Sequence, residues 1–434
     1  MNEVTVGVIG LGLLMALFLA GLELALSMLV VGFVGFAYII SPHAALNLLA
    51  KDVFDTLESY SLTVVPLFVF MGQLAANGGI ATRLYDTANR FMGHIQGGLA
   101  IATVAGCMIF GAISGSAAAT AATFSAISIP EMDRFGYSRK FSGGLVAVAA
   151  TLDLMIPPSV PMIIFGIMTQ QSIGKLFVAG IIPGIIIGLL MIGLILGRCK
   201  INPTIAPKGQ RFTWKERFQS LSGVVWPLVI FGIVIEGLMQ GIFTPSEAGG
   251  VGAFAILVLS LARRDVGLKG IIKSLEESLL TAAMVLFLLA GSTVLGHFLA
   301  VTKIPIMVSD WVVNLPFPRW TIMTLICFLY LIGGSFIDDL AFMVLSTPIF
   351  FPAVMKLGYD PIWFGIMVTL VVMIGISIPP VAISVFVVNH VTKIPFKDIY
   401  NGGYPFLIGL VGCAILLFLF PQIALYLPAL LFNR

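Results

Sequence analysis

The chain of 434 residues repeats itself at one fixed offset. Pro157-Pro158 returns 222 residues later as Pro379-Pro380, and Gly136-Tyr137 returns as Gly358-Tyr359. The same spacing relates Pro130 to Pro352, Gly111 to Gly333, Lys175 to Lys397, Gly180 to Gly402 and Pro183 to Pro405. Glycine and proline fix backbone geometry rather than fill space, so two halves of the chain break their helices at matching places. The medium follows from composition: 59% of residues are hydrophobic and 10% charged, against roughly 25% charged in a soluble protein. Matched breaks in the two halves of a polytopic membrane protein point to a transporter's central binding site.

A crossing needs about 20 apolar residues. Residues 4–40 are too long for one helix and divide near Gly21-Leu22-Glu23; further crossings fall at 61–77, 142–168 and 176–197. Between them, 97–130 forms two short arms meeting at Gly111 to Ser116, the pattern of a re-entrant hairpin whose bend must face protein or a wet cavity. The first repeat is thus 1–197, with five crossings and a hairpin. A polar, basic segment, 198–222, is the expected cytoplasmic linker. The second repeat, 223–434, places crossings near 224–240, 248–262, 278–298, 362–388 and 404–425, with its hairpin at 321–355. Five is odd, so the second copy is inverted. The expected fold is an all-α polytopic membrane protein of about ten spans and two re-entrant hairpins.

With the amino terminus outside, loop Lys and Arg residues distribute 17 inside and 6 outside, Arg434 among the latter, as the positive-inside rule requires. Trp214 and Trp226 fall near one face, and Trp311, Trp320 and Trp363 near the other, as interfacial belts. Met1-Asn2-Glu3 lacks a basic signal region, so the first apolar segment is expected to be retained. The net charge of +3 sits in these loops and implies no nucleic-acid partner. Cys107, Cys199, Cys327 and Cys413 show no metal spacing and imply no disulfide.

Few residues can carry chemistry. At the first bend, Ser114-Gly115-Ser116 precedes Ala117-Ala118-Ala119-Thr120; the freed amides of a half-helix favour anions, and Ser114, Ser116, Thr120 and Thr123 offer hydroxyls to a polar solute. At the double prolines, lost donors leave carbonyls of the preceding turn open to Na⁺. Asp338-Asp339 closes the second bend, and intramembrane carboxylates are functional by default. Adjacent helical residues point about 100° apart, so one of the two is expected at the site, the other capping the second arm. Asp153, before the first double proline, is a further ion-ligand candidate. Thr244-Pro245-Ser246-Glu247 reads as a capping box opening a helix. His297 and His390 lack ligand spacing and read as packing or lining residues.

These residues resemble one family. The Ser-Gly-Ser bend, Pro130 to Tyr137 (PEMDRFGY), Ile156-Pro157-Pro158-Ser159, Leu176 to Gly180 (LFVAG) ending at Pro183-Gly184, and Thr244 to Ala248 (TPSEA) are similar, in order and spacing, to the large membrane subunit of tripartite ATP-independent periplasmic (TRAP) transporters. The likeness covers essentially the whole chain. It implies an elevator-type carrier, not an enzyme, in the bacterial inner membrane and driven by Na⁺. It also implies two partners: a small membrane subunit on a separate chain, and a periplasmic binding protein that delivers an organic acid. The family's ion sites carry over to Ser114, Gly115, Ser116, Asp153, Met155 and Pro157, and in the second copy to Ser335, Asp338, Gly375, Ile378 and Pro379. Asp338 would also meet substrate. Two departures stand out, Asp153 where many relatives have a small residue and Ile378 where many have Thr. The resemblance favours the sialic-acid branch, with C4-dicarboxylates next. The alternative is a carboxylate carrier coupled to Na⁺ or H⁺ that works without a binding protein. A channel or an intramembrane aspartyl protease fits less well.

Overall fold

The structure, a computed structural model, describes residues 2–432; Met1, Asn433 and Arg434, with the charge of Arg434 counted above, lie outside the described residues. Its regular structure is helical, with one isolated bridge, Gln96 to Lys208. The first half contains α1 (Glu3–Leu19), α2 (Leu24–Ile39), α3 (Pro42–Glu58), α4 (Val64–Asn77), α5 (Ile80–Met92), α6 (Gly98–Ser114), α7 (Ala117–Arg134), α8 (Arg139–Ala149), α9 (Val160–Thr169) and α10 (Ile173–Ile201). The second contains α11 (Trp214–Met239), α12 (Pro245–Ala262), α13 (Leu268–Thr302), α14 (Ile304–Val313), α15 (Arg319–Phe336), α16 (Asp339–Lys356), α17 (Pro361–Gly375), α18 (Ile383–Thr392), α19 (Phe396–Leu419) and α20 (Gln422–Phe432).

Element boundaries follow the 222-residue spacing. Both ends of α7 and α16 (Ala117 and Asp339, Arg134 and Lys356) and the starts of α8 and α17 (Arg139 and Pro361) are related by it. The turn between these helices uses Gly136 (φ 78°) in one half and Gly358 (φ 79°) in the other. The halves differ where the first breaks α3 from α4 and the second runs α13 unbroken for 35 residues.

Eight helices are long and apolar enough to cross a membrane. Three of the expected crossings are divided differently. Residues 142–168 are split into α8, a 3₁₀ turn at Ala150–Leu154 and α9; 362–388 into α17 and α18; 404–425 into α19 and α20. The double prolines supply the reason for the first two, since proline cannot donate within a helix. Much of the 198–222 segment is helical, because α10 continues to Ile201 and α11 starts at Trp214. Trp363 is 1% exposed and donates from Nε1 to the Leu417 carbonyl at 2.9 Å, so it packs inside the protein rather than in an interfacial belt. The four cysteines are free.

Local signals explain several starts. Thr244 and Glu247 form the expected capping box, with Pro245 in the first turn of α12. The sequence reading placed no element in 41–60, yet Ser41 caps α3 there. Its Lys51, Asp52, Asp55 and Glu58 mask the apolar pattern. Asp52, 5% exposed, meets His297 Nδ1 of α13 at 2.7 Å, a pairing across 245 residues that spacing rules cannot reach. Arg83 and Asp265 form a two-pronged ion pair between α5 and the turn before α13.

The two halves interlock. α2 packs on α13 and α12 on α4; α7 packs on α18, α9 on α16, and α8 on α19. The α8–α19 crossing depends on backbone approach: a Cβ on Gly144 would land on the Gly402–Gly403 peptide. Overpacking of this kind costs about 1–3 kcal/mol or more. Gly144→Leu should therefore lower the melting temperature of the detergent-purified chain by several degrees. Gly193→Leu, in α10 with no heavy atom within 4 Å of its would-be Cβ, should leave it unchanged; equal melting of the two variants would remove this crossing as a structural requirement.

Candidate functional site

Each hairpin stops beside the helix break of its own half. At the first tip α6 ends at Ser114, Gly115 turns back at φ 62° and Ser116 caps α7, accepting from the Ala119 amide at 3.4 Å. A φ of that sign suits glycine, and the Pro158 carbonyl and Val160 stand 3.4 and 3.6 Å from where its Cβ would be. Gly111, one turn earlier, lies against the backbone of Asp153. The peptide bonds Pro157–Pro158 and Pro379–Pro380 are both cis. After the first pair, the Ser159 hydroxyl donates to the Leu154 carbonyl at 2.6 Å, recovering one of the acceptors the break frees.

Behind the first tip lies a buried polar chain. Ser114 Oγ and Thr120 Oγ1 are 3.0 Å apart, and Thr120 Oγ1 donates to Asp153 Oδ2 at 3.2 Å. Asp153 is fully buried, and its Oδ1 has no hydrogen-bond partner. An isolated carboxylate in that setting is costly, so this cluster is the strongest candidate to hold a cation. The same backbone positions in the second half carry Phe336, Phe342 and Gly375. There Phe342 lies against Gly333 and crosses Tyr330 edge-on at 5.5 Å. The first half gathers three oxygen-bearing side chains here; in the second only the Phe342 ring packs inward, Phe336 being 54% exposed and Gly375 having no side chain.

At the second tip, the Ser335 carbonyl accepts from the Val381 amide at 3.0 Å, just past Pro379-Pro380. The Ser335 hydroxyl is spent on the Ile332 carbonyl at 2.7 Å. Gly375 packs against the Gly334 backbone, and the Ile378 amide bonds back to the Gly375 carbonyl at 3.0 Å. Pro157 is buried, whereas Pro379 is exposed. The Met155 carbonyl lies against Gly180 of α10.

The two tips wall one cavity of about 240 Å³. Gly115, Ser116, Ala117 and Ala118 of the first tip and Asp338, Asp339 and Leu340 of the second line it, together with residues that include Thr281, Met284 and Val285 of α13 and Ile383 and Ser384 of α18. Two expectations are corrected. Asp338 and Asp339 both line the cavity, because Asp338 sits in the extended residue before α16 and so escapes the 100° helical rule. Asp338 occupies the cap position, yet its side chain caps nothing. Of the hydroxyls proposed for solute, Ser116 reaches the cavity, while Ser114 and Thr120 are turned into the Asp153 cluster and the half-buried Thr123 lies further along α7. Thr281 and Ser384 escaped the sequence reading. Ser384 had a signal, being the hydroxyl in the turn that follows the second double proline; Thr281 sits mid-helix with none.

Comparison with known proteins follows the same lines. The family model described as "Tripartite ATP-independent periplasmic transporter, DctM component" matches residues 11–423. The chain is 36% identical over 381 residues to the C4-dicarboxylate TRAP transporter large permease protein of Pseudomonas aeruginosa, covering 88% of this chain and 89% of that one. It is 33% identical over 419 residues to the sialic acid TRAP transporter large permease protein of Vibrio cholerae, covering 96% and 97%. A longer relative, the isethionate TRAP transporter permease protein DctMQ of Oleidesulfovibrio alaskensis, is 32% identical and only 60% covered. Among solved structures, the YdaH transporter of Alcanivorax borkumensis superposes with a TM-score of 0.60 at 12% identity, over 87% of this chain and 89% of its own; that likeness concerns the fold. The chain therefore belongs to the family of TRAP transporter large permeases, the DctM component.

Proposed function

We propose that this permease carries an organic acid, handed over by a periplasmic binding protein, across the bacterial inner membrane on the Na⁺ gradient by an elevator movement. Large permeases of this family work with a small permease and a periplasmic binding protein. We read the small subunit as a separate chain, as the resemblance implies. The observation that carries the reading is the cavity between the two tips, each tip seated on its own break and each hairpin packed on the other half's broken helix. Interlocking of this kind makes α6–α10 and α15–α19 the candidate moving body. The long α13, with α4 and α12, is the candidate frame.

The ions are assigned to the two tips. The first would be held through Ser114, Gly115, Ser116, Asp153, Met155 and Pro157, the second through Ser335, Asp338, Gly375, Ile378 and Pro379. The Asp153 cluster supports the first most directly, because its unpaired oxygen has no cationic side chain beside it. At the second, Asp338 contributes the charge. Sialic acid is favoured as cargo and C4-dicarboxylate is next, relatives of both kinds being about equally similar.

The test is uptake of radiolabelled N-acetylneuraminate into proteoliposomes holding this chain and its small subunit, with and without the binding protein, in Na⁺ or K⁺. Uptake that needs both binder and Na⁺ is expected. Uptake of free substrate would instead indicate an autonomous carrier, and uptake unaffected by replacing Na⁺ at fixed pH would indicate proton coupling. Asp338→Asn should reduce Na⁺-dependent uptake at least tenfold with normal membrane expression; wild-type rates would remove Asp338 from the ion path. Asp153→Asn should raise the Na⁺ concentration for half-maximal uptake about tenfold, equivalent to about 1.4 kcal/mol, and an unchanged Na⁺ curve would make the cluster purely structural. Ser116→Leu, which fills the cavity wall, should abolish uptake without loss of protein, and normal uptake would remove the first tip from the cargo site.

A further inference from the structure

We propose that the first turn of α18, with the hydroxyl of Ser384, is the carboxylate-binding pole of the transport cavity, and that the cargo is a monocarboxylate whose other end donates hydrogen bonds. The proposal rests on the reading of this chain as an organic-acid carrier and specifies where and how the acid binds.

α18 begins three residues after Pro380 with Ala382 at its cap, a side chain that can accept nothing. Intrahelical bonding starts with the Phe386 amide, which donates to the Ala382 carbonyl at 3.0 Å, so the amides of Ile383, Ser384 and Val385 are the helix's orphan donors. Helix starts usually settle such donors on water or a capping oxygen. Here the start is buried: Ala382, Ser384 and Val385 are 0%, 1% and 2% exposed. The Ser384 hydroxyl has no hydrogen-bond partner. Both Ile383 and Ser384 line the cavity. A buried, uncapped N-terminus with an unspent hydroxyl is built to receive an anion, and the helix dipole adds to the attraction.

The other charged groups of the cavity fix the rest of the cargo. Asp338 and Asp339 line the same cavity, and no Lys, Arg or His does. A second carboxylate reaching these aspartates would meet like charge without a compensating cationic side chain. Hydroxyl, amide or ammonium groups would meet acceptors. The arrangement also ties ion to cargo: a cation held at Asp338 reduces the negative potential that the incoming carboxylate feels, so each favours the other's binding.

Thiol chemistry reads the pole without knowledge of the natural cargo. Ser384→Cys is placed in the full chain, assembled with its small subunit in proteoliposomes. It is treated with an anionic sulfonatoethyl or a cationic trimethylammonioethyl methanethiosulfonate, each rate being normalised to that of a free thiol. The untreated-position baseline is the wild-type chain, whose cysteines are buried or half-buried. The anionic reagent is expected to react at least tenfold faster, despite the two aspartates nearby; equal rates, a cation preference or no reaction would overturn the carboxylate pole. In Na⁺, excess N-acetylneuraminate should protect the thiol and succinate should not; protection by succinate to the same degree, or by neither, would overturn the cargo class. Ser384→Ala should raise KM for N-acetylneuraminate about tenfold with little change in kcat, and Ser384→Thr should restore it; a matching loss in kcat with unchanged KM would make the residue structural. If the wild type takes up no N-acetylneuraminate at all, the sialic-acid assignment fails, while the reagent preference still decides the pole.

Discussion

A helix that ends inside a bilayer must satisfy its terminal amides and carbonyls within the protein, because lipid offers no partner. This chain contains two hairpin tips and two helix breaks that face that demand, and it answers by placing each tip on a break. The Ser335 carbonyl takes the Val381 amide, Ser159 returns a donor to Leu154, and the Gly115 amide bonds back to the Gly111 carbonyl. Of the buried side-chain atoms without a partner, which are spread through the bundle, the Ser384 hydroxyl lies at the cavity and the Asp153 oxygen directly behind its first tip. Those two groups are the ones to which the proposed reading gives an ion and the cargo carboxylate.

The symmetry of the chain is one of backbone, and the chemistry departs from it. Offset by 222 residues, Ser114, Thr120 and Asp153 become Phe336, Phe342 and Gly375, while Ser116 becomes Asp338. In the first half the charge is buried behind the tip; in the second it stands in the cavity wall. On the proposed reading, the two ion positions would differ in exposure, one shielded and one shared with cargo. Such a division suits a carrier in which ion and substrate must move together.

Much of this was legible in the sequence, and the reasons differ by element. Glycine and proline spacing reveals the repeat because those residues report backbone shape directly; the capping box at Thr244 is legible because its logic is local. The two-armed segments 97–130 and 321–355 coincide with α6–α7 and α15–α16 to within a few residues. α3 was not, since its charged face interrupts the hydropathy that marks a crossing. Trp363 looks interfacial by position, but its indole is spent inside the bundle on Leu417. The direction of Thr120 toward Asp153 is a tertiary fact, as is the pairing of Asp52 with His297. Ser384 is visible in the sequence as a hydroxyl, yet only burial shows that it lacks a partner.

The most direct test of the account is equilibrium binding of N-acetylneuraminate and of ²²Na⁺ to the purified large and small subunits. Linkage requires that each ligand tighten the other by the same factor. The account predicts reciprocal tightening of at least tenfold in the wild type, largely lost in Asp338→Asn. Binding of the acid with equal affinity in Na⁺ and K⁺ would contradict it, because a cavity walled by Asp338 and Asp339 would then accept a carboxylate without the ion.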